Sequence, residues 1–480
     1  MNLELASQSA PLTQCPGLKI VAVDQAGLSL AGQELDTSLG NLLNSALKEI
    51  APTKLEESDL WVTTPAGPVW LVGLGDPKLP AAERLRRAGA KVSRGLTEKT
   101  RIESATLELF GVGTLGATHA TLALAEGILL GSYSPKPKER NLKLQITGAE
   151  PQALQKAQIL ARGVNRARRL VNTPPNILTP AALAAEAQSL ATELGLEITV
   201  WDPEAIQARG LGGLWAVGKG SANLPRFISL RYRHPEAKDG PLALVGKGLC
   251  FDTGGLTLKP LDSMKTMKSD MSGAAAALGT IGAVAELGLP IELRVYIAAA
   301  ENSVGPEAYR VDDVITMYDG TTVEVTNTDA EGRITLADAI SIASGEGARE
   351  IVELSTLTGA CVVALGPQVA GLFTRDPGLE MVLRQAAQAS GEKLWPLPLE
   401  EDYLEFLQSP VADLKNTGAR QGGAIQAGLF LQHFAKVPFA HLDIAGPAFF
   451  DKPQPLGPEG GSGFGVRTLV NYLESRAGGR

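Results

Sequence analysis

The sequence predicts an α/β protein, in which a smaller N-terminal α/β domain precedes a larger one with a mixed, mostly parallel central sheet. Short apolar runs typical of strands alternate with helical patterns along the chain, which is the order that β-α-β units produce. At 480 residues, of which 44% are hydrophobic, the chain is longer than one domain usually is. We expect helices on both faces of the larger sheet.

The first domain is predicted over residues 1–149. Its candidate strands are the runs LKIVAV, LWVTT, VWLVGLG and ATLELFGVG. The stretch 132–141, rich in proline and charge, is typical of a loop or linker. A helical pattern over 150–171 ends at the prolines of NTPPNILTP, and we expect this helix to connect the domains.

The second domain is predicted over residues 172–480. Its candidate strands, in chain order, are EITVW, FISLRY, LALVG, ELRVYIAA, TTVEV, EIVELS and FAHLDI. Helical patterns such as SGAAAALGTIGAVAELG and ITLADAISIAS lie between them. This alternation predicts that all these strands share one mostly parallel sheet.

Composition limits the function classes. Acidic residues outnumber basic ones 52 to 44, and a net charge of -8 argues against a nucleic-acid or membrane surface as the main partner. The basic segment 83–101 is expected to be a solvated helix face. Three widely spaced cysteines, an N-terminus without a signal-peptide pattern and the lack of a run of 18 apolar residues favour the cytoplasm.

Charged side chains gather in segments that follow predicted strands or precede a predicted helix. They are Lys247, Asp252 and Lys259 after LALVG, Asp270 before SGAAAALG, and Asp329, Glu331 and Arg333 after TTVEV. Ligands of open α/β sheets bind beyond the carboxyl ends of the strands, so we expect these loops to converge on one crevice.

Four carboxylates in one crevice repel one another unless cations neutralise them. Two divalent ions carry the matching charge, and oxygen ligands suit Mg, Mn or Zn. We expect Asp329 and Glu331 to point inward from a loop, with Gly332 allowing a tight turn. Each acid alone has a simpler explanation, since aspartates in loops commonly form turns or cap helices.

Other motifs compete weakly with this interpretation. GLWAVGKG at 213–220 resembles a phosphate-binding loop, but Gly220 stands where serine or threonine would bind magnesium. GVGTLG at 111–116 matches the dinucleotide pattern GxGxxG, although no acid lies clearly at the expected distance. The sequence has no HExxH, and its four histidines are scattered, which argues against a histidine-rich zinc site.

Four of these segments resemble the leucyl aminopeptidase family, the cytosolic two-metal aminopeptidases. They are VGKGLCFDTGGLTLKP, MKSDMSGAAA, NTDAEGRITLADA and STLTGACVVALG, in this order. NTPPNILTP, ADLKNTGAR and FAHLDIAGPAF extend the likeness over roughly 172–470. For the first 130 or so residues, the resemblance implies a macro-domain-like fold.

The resemblance implies a ligand set for two metal ions, Mn or Zn, with Mg and Co as alternatives. Asp252 and Glu331 would bridge both ions. Asp329 would complete the more exchangeable site through its side chain and its carbonyl, and Lys247 and Asp270 would complete the tighter one. A lysine ligand must be neutral, a form that neighbouring dications favour.

The resemblance also implies the catalytic groups. Lys259 would stabilise the oxyanion, and Arg333 would hold a bicarbonate ion that relays protons from a metal-bridged water. Met267, Thr356 and Gly359 would line the first side-chain pocket and favour apolar residues such as leucine. An ion would bind the free α-amine, so that short peptides lose only their N-terminal residue.

A homohexamer, a dimer of trimers enclosing the active sites, is a further implication of the resemblance. Three positions depart from the family pattern: Thr253 replaces serine, RVDDV at 310–314 replaces an Arg-Pro-Gly-Asp run, and Ile334 replaces leucine. Two rival functions stay open. A two-metal phosphoesterase would need more phosphate-binding cations than Arg333, and DNA binding would need a basic track on the surface.

Overall fold

The computed structural model describes residues 2–50, 54, 57, 59–98, 101–136 and 140–478. The chain forms two compact units, one comprising Met1–Ala161 and Lys452–Pro458 and the other Arg162–Asp451 and Glu459–Arg480. Among the described residues, no helix is both long enough and apolar enough to cross a membrane. The three cysteines are buried and free.

The first unit contains one sheet with helices on both faces. Its strands are β1 Asn2–Gln8, β2 Leu18–Asp24, β3 Gly27–Leu28, β4 Asp59–Thr64, β5 Gly67–Gly73, β6 Ser104–Glu108 and β7 Asn141–Thr147. Its helices are a 3-10 turn Leu12–Gln14, α1 Leu30–Ser38, α2 Leu42–Leu47, α3 Ala81–Glu98, α4 Val112–Gly131 and the first half of α5 Pro151–Asn172. The strand order is β1-β7-β6-β2-β5-β4, with β3 beside β2.

Successive residues of β2 enter two different cores. Ile20 and Ala22 pack in the core that also holds Leu85 of α3 and Leu124 of α4. The side chains of Val21 and Val23 lie in the core of α1 and α2. A parallel strand covered on both faces is apolar at most of its positions, which is why the run IVAV after the buried Lys19 is continuous rather than alternating.

The second unit holds the larger sheet as well as short strands outside that sheet. Its strands are β8 Glu197–Trp201, β9 Arg226–Arg233, β10 Leu242–Asp252, β11 Glu292–Asn302, β12 Val314–Thr316, β13 Thr322–Glu324, β14 Glu350–Ser355, β15 Ala370–Thr374, β16 Leu394–Pro396, β17 Leu414–Lys415, β18 Phe439–Asp443, β19 Phe449–Phe450 and β20 Gly460–Gly461. Its helices are α6 Pro180–Leu194, α7 Pro203–Ala208, α8 Gly212–Gly218, α9 Leu261–Met264, the 3-10 turn Met267–Ser269, α10 Ser272–Leu287, α11 Glu331–Gly345, α12 Gly359–Leu365, α13 Pro377–Ser390, the 3-10 helix Glu401–Leu407, α14 Gly423–Phe434 and α15 Val466–Ala477.

The central sheet is mixed and mostly parallel, as predicted, with the order β16-β15-β18-β14-β10-β11-β9-β8. Strands β18, β14, β10 and β11 are parallel, whereas β9 runs antiparallel to β11 and β15 antiparallel to β18. Helix α10 packs against this sheet so closely that a Cβ on Gly273 would lie 1.9 Å from the carbonyl oxygen of Leu354. The run of glycine and alanine in α10 is what permits that approach.

The prediction that TTVEV belongs to the central sheet was wrong. It forms β13, which pairs antiparallel with β12 and parallel with β17 in a separate three-stranded sheet. Within β13 only Val323 is fully buried, while the strands of the parallel core are buried along their length. Its short antiparallel connection to β12 fits a hairpin, whereas parallel neighbours need long crossovers.

Two further differences concern the first unit. Strands β1 and β7 were not predicted, and β7 begins at Asn141, the last residue of the predicted loop, of which 137–139 lie outside the described residues. The basic segment 83–101 forms most of α3, but it is not wholly solvated. Arg86 is buried and its Nε lies 2.7 Å from Glu126 Oε2, so one of its cations stabilises the packing of α3 on α4.

Candidate metal centre

The candidate site lies where the central sheet meets the loops that follow it. Lys247 and Asp252 are on β10, and Asp252 is that strand's last residue. The Lys259 side chain comes from the loop after β10, Asp270 directly precedes the segment leading into α10, and Glu331 is the first residue of α11. Parallel packing of β10 and β14 under α10 and α11 brings these segments together.

Lys247 is the centre of one half of the cluster. Its Nζ lies 2.9 Å and 2.8 Å from the two carboxylate oxygens of Asp270 and 2.9 Å from Glu331 Oε1. The ammonium also donates to the Thr356 carbonyl at 3.3 Å. Only 3% of Lys247 is exposed, so this charge depends on its carboxylate partners rather than on water.

Lys259 occupies the other half. Its Nζ lies 2.9 Å from Asp252 Oδ2 and 2.5 Å from Asp329 Oδ1. The second oxygen of Asp252 accepts hydrogen bonds from the Gly254 amide and from Asn302 Nδ2, both at 2.8 Å. Asp252 is thereby oriented on one side by protein donors and faces Lys259 on the other.

The donor set fits divalent cations. Asp252, Asp329 and Glu331 each offer a carboxylate oxygen, and these atoms lie within 4.8 Å of one another. Glu331 Oε2 is buried and has no hydrogen-bond partner. A buried carboxylate oxygen without a donor is costly, and hard cations prefer such oxygens. The unpaired oxygen is therefore an observation in favour of a metal at this position.

Crowding of the acids shifts their titration. Burial and the charge of Asp252 raise the pKa of Glu331 to about 8, and burial raises the pKa of Asp270 to about 6 despite the nearby Lys247. Burial also raises the pKa of Asp329. Burial alone would lower the pKa of Lys247, but the surrounding carboxylates outweigh it and raise that pKa. The carboxylates thus keep Lys247 charged, whereas burial and the neighbouring acids favour the protonated form of Glu331.

The expectation that Glu331 and Gly332 lie in a turn was wrong. Both belong to the first turn of α11, whose residues from Glu331 onward are helical. A Cβ on Gly332 would lie 2.5 Å from Cε and 2.7 Å from Nζ of Lys247. Glycine is therefore needed for the close approach of the lysine to the helix, not for a tight turn.

Arg333 lies one helical position beyond Gly332 and is 7% exposed. Its Nη1 donates to the Asn416 carbonyl at 2.8 Å, while its Nε is buried and has no hydrogen-bond partner. Burial lowers the pKa of Arg333 to about 10, so it stays charged at neutral pH. A buried cation with an unused donor fits a small anion.

Two of the three predicted pocket residues, Thr356 and Met267, contact Asp270. Thr356 follows β14, and its Oγ1 donates to Asp270 Oδ1 at 2.6 Å. The Met267 carbonyl accepts from the Asp270 amide at 3.2 Å. Gly359 begins α12, and a Cβ placed there would meet no atom within 4 Å, so open space adjoins it.

Sequence reasoning missed several polar residues that organise the centre. Asn302 ends β11, and its Nδ2 bridges Asp252 Oδ1 at 2.8 Å and the Thr328 carbonyl at 3.0 Å. Tyr309 donates to that same carbonyl at 2.6 Å. The position of Asn302 at a strand's carboxyl end was the available signal. Tyr309 lies in a loop with no comparable signal.

Asn416 is the other residue that was missed. It is completely buried, its Oδ1 accepts from the Thr326 amide at 2.8 Å, and its Nδ2 donates to the Asn327 carbonyl at 2.7 Å. The side chain thus closes the loop that leads to Asp329. Asn416 belongs to the segment ADLKNTGAR, which carries the family resemblance. Its structural role could not be predicted, because its partners Thr326 and Asn327 lie 90 and 89 residues away in sequence.

The three departures from the family pattern leave the cluster intact. Thr253 Oγ1 donates to the Asn302 carbonyl at 2.8 Å, and Ile334 is fully buried in the core. Asp312, in RVDDV, has a φ of 74°, the left-handed region that favours glycine. Aspartate, which stands where the usual run has glycine, tolerates this conformation better than most residues do.

Fold and site together define a class: an α/β protein of two units whose larger unit holds a buried centre of carboxylates and lysines suited to divalent metal. A model of the catalytic domain of the cytosol aminopeptidase family matches residues 165–470, and one of that family's N-terminal domain matches residues 20–136. The chain belongs to the cytosol aminopeptidase family. It is a metal-dependent aminopeptidase and hence a hydrolase, so the resemblance found in the sequence is confirmed.

Individual relatives extend over most of the chain. A probable cytosol aminopeptidase of Synechococcus sp. (strain JA-3-3Ab) is 45% identical over 428 residues, covering 85% of this chain and 84% of its own. A mutant of tomato leucine aminopeptidase has a TM-score of 0.88 at 34% identity and covers 99% of this chain and 97% of its own. The bottromycin maturation enzyme BotP in complex with Mn has a TM-score of 0.86 at 35% identity. The match covers 96% of this chain and 99% of that of BotP.

Proposed function

We propose that the chain releases N-terminal leucine and other apolar residues from short peptides, with water as the nucleophile and two divalent ions as cofactors. The observation that carries this proposal is the buried cluster in which Asp252, Asp329 and Glu331 converge within 4.8 Å while Glu331 Oε2 has no donor. When bound, two divalent ions supply acidity to a water near neutral pH and polarise the peptide carbonyl.

The chain's own residues would hold these ions. Asp252 and Glu331 would be ligands shared by both, and Asp329 would complete the more exchangeable site. Lys247 and Asp270 would complete the tighter one. In the structure Lys247 is an ammonium paired with Asp270 at 2.8 Å, and its lone pair becomes available only when the proton leaves. We therefore expect metal binding at the tighter site to release a proton.

Lys259 and Arg333 are proposed as the catalytic cations. The Lys259 ammonium lies between Asp252 and Asp329, within 2.9 Å of both, where it would neutralise the oxyanion that forms on the scissile carbonyl. The buried Nε of Arg333, which has no hydrogen-bond partner, supports a bound bicarbonate. No histidine is among the residues described for the cluster, so such an anion would carry the proton away from water.

The preference for leucine is assigned to Met267, Thr356 and Gly359. Open space beside Gly359 and the half-buried Met267 would accept an apolar side chain next to Asp270. Mn is the first metal to test, because a relative of known structure binds it; Zn, Mg and Co have suitable coordination as well. Supply in the cell decides among metals of similar affinity.

The assembly, location and domain limits are proposals as well. We propose a homohexamer built as a dimer of trimers, which would restrict substrates to short peptides, and a cytoplasmic location, as the relatives' name suggests. The proposed limits are 1–149 for a macro-like domain, 150–171 for a connecting helix and 172–480 for the catalytic domain. Sedimentation showing an active monomer would contradict the assembly.

Hydrolysis of Leu-p-nitroanilide tests the function. Chelated enzyme is assayed before and after Mn or Zn is added, beside N-acetyl-Leu-p-nitroanilide and Glu331→Gln. Metal-restored cleavage of the free-amine substrate alone, lost in the variant, is the expected result. Glu-p-nitroanilide and Lys-p-nitroanilide measure the apolar preference. No cleavage with any metal would overturn the proposal and direct attention to phosphoesters and DNA.

A further inference from the structure

Asp443 is a completely buried carboxylate outside the proposed sets of metal ligands and catalytic cations. It is the last residue of β18, and in the parallel pairing of β14 with β18 it lies opposite Ser355, the last residue of β14. The loops that leave parallel strands at this edge form the sites of open α/β proteins. A carboxylate is costly to bury unless hydrogen bonds compensate it, so its partners indicate what the residue is for.

Two of the hydrogen-bond partners of Asp443 belong to the loop 356–358, which connects β14 to α12. Its Oδ1 accepts from the Leu357 amide at 3.2 Å, and its Oδ2 accepts from the Thr358 hydroxyl at 2.7 Å. The Ala445 amide also donates to Oδ1, at 3.2 Å. These donors are uncharged, and a hydrogen bond to a carboxylate is stronger than one between neutral groups. The charge of Asp443 therefore strengthens the attachment of this loop to β18.

The position of this loop depends on side chains rather than on the backbone. Among the residues that the structure describes, no backbone-to-backbone hydrogen bond involves Thr356 or Leu357. The Thr358 hydroxyl, while it donates to Asp443, accepts from the Cys361 amide at 3.0 Å and so caps α12. Asp443 thus holds the loop and, through the same hydroxyl, the beginning of α12.

The same loop contacts the metal centre. Thr356 Oγ1 donates to Asp270 Oδ1 at 2.6 Å, and the Thr356 carbonyl accepts from Lys247 Nζ at 3.3 Å. Lys247 and Asp270 are the two residues proposed to complete the tighter metal site. Partners that orient metal ligands typically contribute about 10–100-fold to metal affinity or activity. A displacement of the loop would therefore change the orientation of both ligands at once.

We propose that Asp443 is a positioning residue of the metal centre, because it fixes the loop through which Thr356 orients Lys247 and Asp270. It acts through the loop and not by contact with substrate. Because α12 begins at the pocket residue Gly359, the same anchor sets the position of the proposed pocket. This inference rests on the proposed function, since it assigns a further residue to the same site.

Thr358→Val is the sharpest variant. Valine has the shape of threonine but no hydroxyl, so it removes the link between Asp443 and the Cys361 amide without a change of charge. Thr358→Ser keeps the hydroxyl and should restore the link. Asp443→Asn keeps one oxygen for the amide donors but replaces the other by an NH₂ group, which cannot accept from the Thr358 hydroxyl.

Thr374→Val is the matched control. The Thr374 hydroxyl donates to the carbonyl of Phe439, the first residue of β18, at 2.7 Å and accepts from the Asp376 amide at 3.1 Å. The variant therefore removes an equivalent pair of hydrogen bonds at the opposite end of the same strand. It should lower the melting temperature about as much as Thr358→Val does, but it leaves the loop 356–358 attached.

Two measurements on the full chain test the proposal. The affinity of chelated protein for Mn is measured by isothermal titration calorimetry, and kcat for Leu-p-nitroanilide is measured at saturating Mn. Thr358→Val and Asp443→Asn should each bind Mn about tenfold more weakly and lose about tenfold or more in kcat. Thr358→Ser and Thr374→Val should keep the wild-type values of both.

Two results would overturn the proposal. One is wild-type Mn affinity and kcat in Thr358→Val and Asp443→Asn. The other is an equal loss in Thr374→Val, which would mean that general destabilisation of β18 is the cause. If the wild type binds Mn but does not cleave Leu-p-nitroanilide, the proposed function fails, while the Mn affinities of the variants still decide the role of Asp443. If Asp443→Asn fails to fold, as judged by circular dichroism, Thr358→Val decides between these outcomes.

Discussion

Gly332→Ala places one methyl group against the lysine of the metal centre. The added Cβ would lie 2.5 Å from Lys247 Cε, and carbon atoms normally stay about 3.5–4.0 Å apart, so the lysine must retreat by about 1 Å. Its Nζ is held by Asp270 at 2.8 Å and Glu331 at 2.9 Å, and both contacts would lengthen. A displacement of this size costs about 10²-fold in rate, or roughly 2.7 kcal/mol of transition-state stabilisation.

The fold should not suffer in the same way. Alanine is a better helix former than glycine by up to about 1 kcal/mol, which offsets part of the strain at the lysine. We therefore expect kcat/KM for Leu-p-nitroanilide to fall about 100-fold, with a small change in the free energy of unfolding. Gly345→Ala, at the other end of α11 where a Cβ meets no atom within 4 Å, is the control and should keep full activity. Wild-type activity and metal affinity in Gly332→Ala would refute the reasoning.

Three further predictions concern the surroundings of the cluster. Asn302→Asp replaces the NH₂ group that donates to Asp252 and to the Thr328 carbonyl by an oxygen that cannot donate. We expect kcat/KM to fall about 100-fold and the melting temperature to drop. Unchanged kinetics would show that Asn302 does not position Asp252. Asn416→Ala leaves the Thr326 amide and the Asn327 carbonyl without this partner, so the free energy of unfolding measured in urea should fall by roughly 2–4 kcal/mol. A decrease of less than about 1 kcal/mol would contradict this prediction. The pKa of Glu331, raised to about 8, lies above its unfolded value, so the folded state binds the extra proton and metal-free protein should lose stability as pH rises from about 4.5 to 8. Glu331→Gln should flatten this profile in thermal melts, and an identical pH slope in the variant would refute the assignment.

Much of the second unit was predictable because its strands are buried on both faces and therefore form continuous apolar runs. The residues of the metal centre could be singled out for a related reason, since charged side chains directly after such runs reach the carboxyl edge of the sheet. Lys247 and Asp252 follow this logic. The strand TTVEV was misassigned because three residues of alternating burial carry little information about which sheet they join.

Other features depend on contacts between distant segments. Asn416 stabilises the loop before Asp329 because its Oδ1 accepts a hydrogen bond from the Thr326 amide, 90 residues away in sequence. The residues around Asn416 in the sequence do not indicate this contact. Gly332 was correctly noticed, yet its physical reason is the approach of Lys247 rather than a turn. Local propensity cannot distinguish these two uses of glycine, because both appear only when the neighbouring side chain is in place.

The central claim is that this cluster holds two divalent ions per chain, and metal stoichiometry tests it most directly. Chelated protein is titrated with Mn by calorimetry and the bound metal is counted by elemental analysis, beside Glu331→Gln and the exposed control Asp262→Asn, whose side chain is 91% exposed. We predict two ions per chain in the wild type and in Asp262→Asn, and loss of at least one in Glu331→Gln. One ion or none in the wild type, or two in Glu331→Gln with unchanged affinity, would contradict the account.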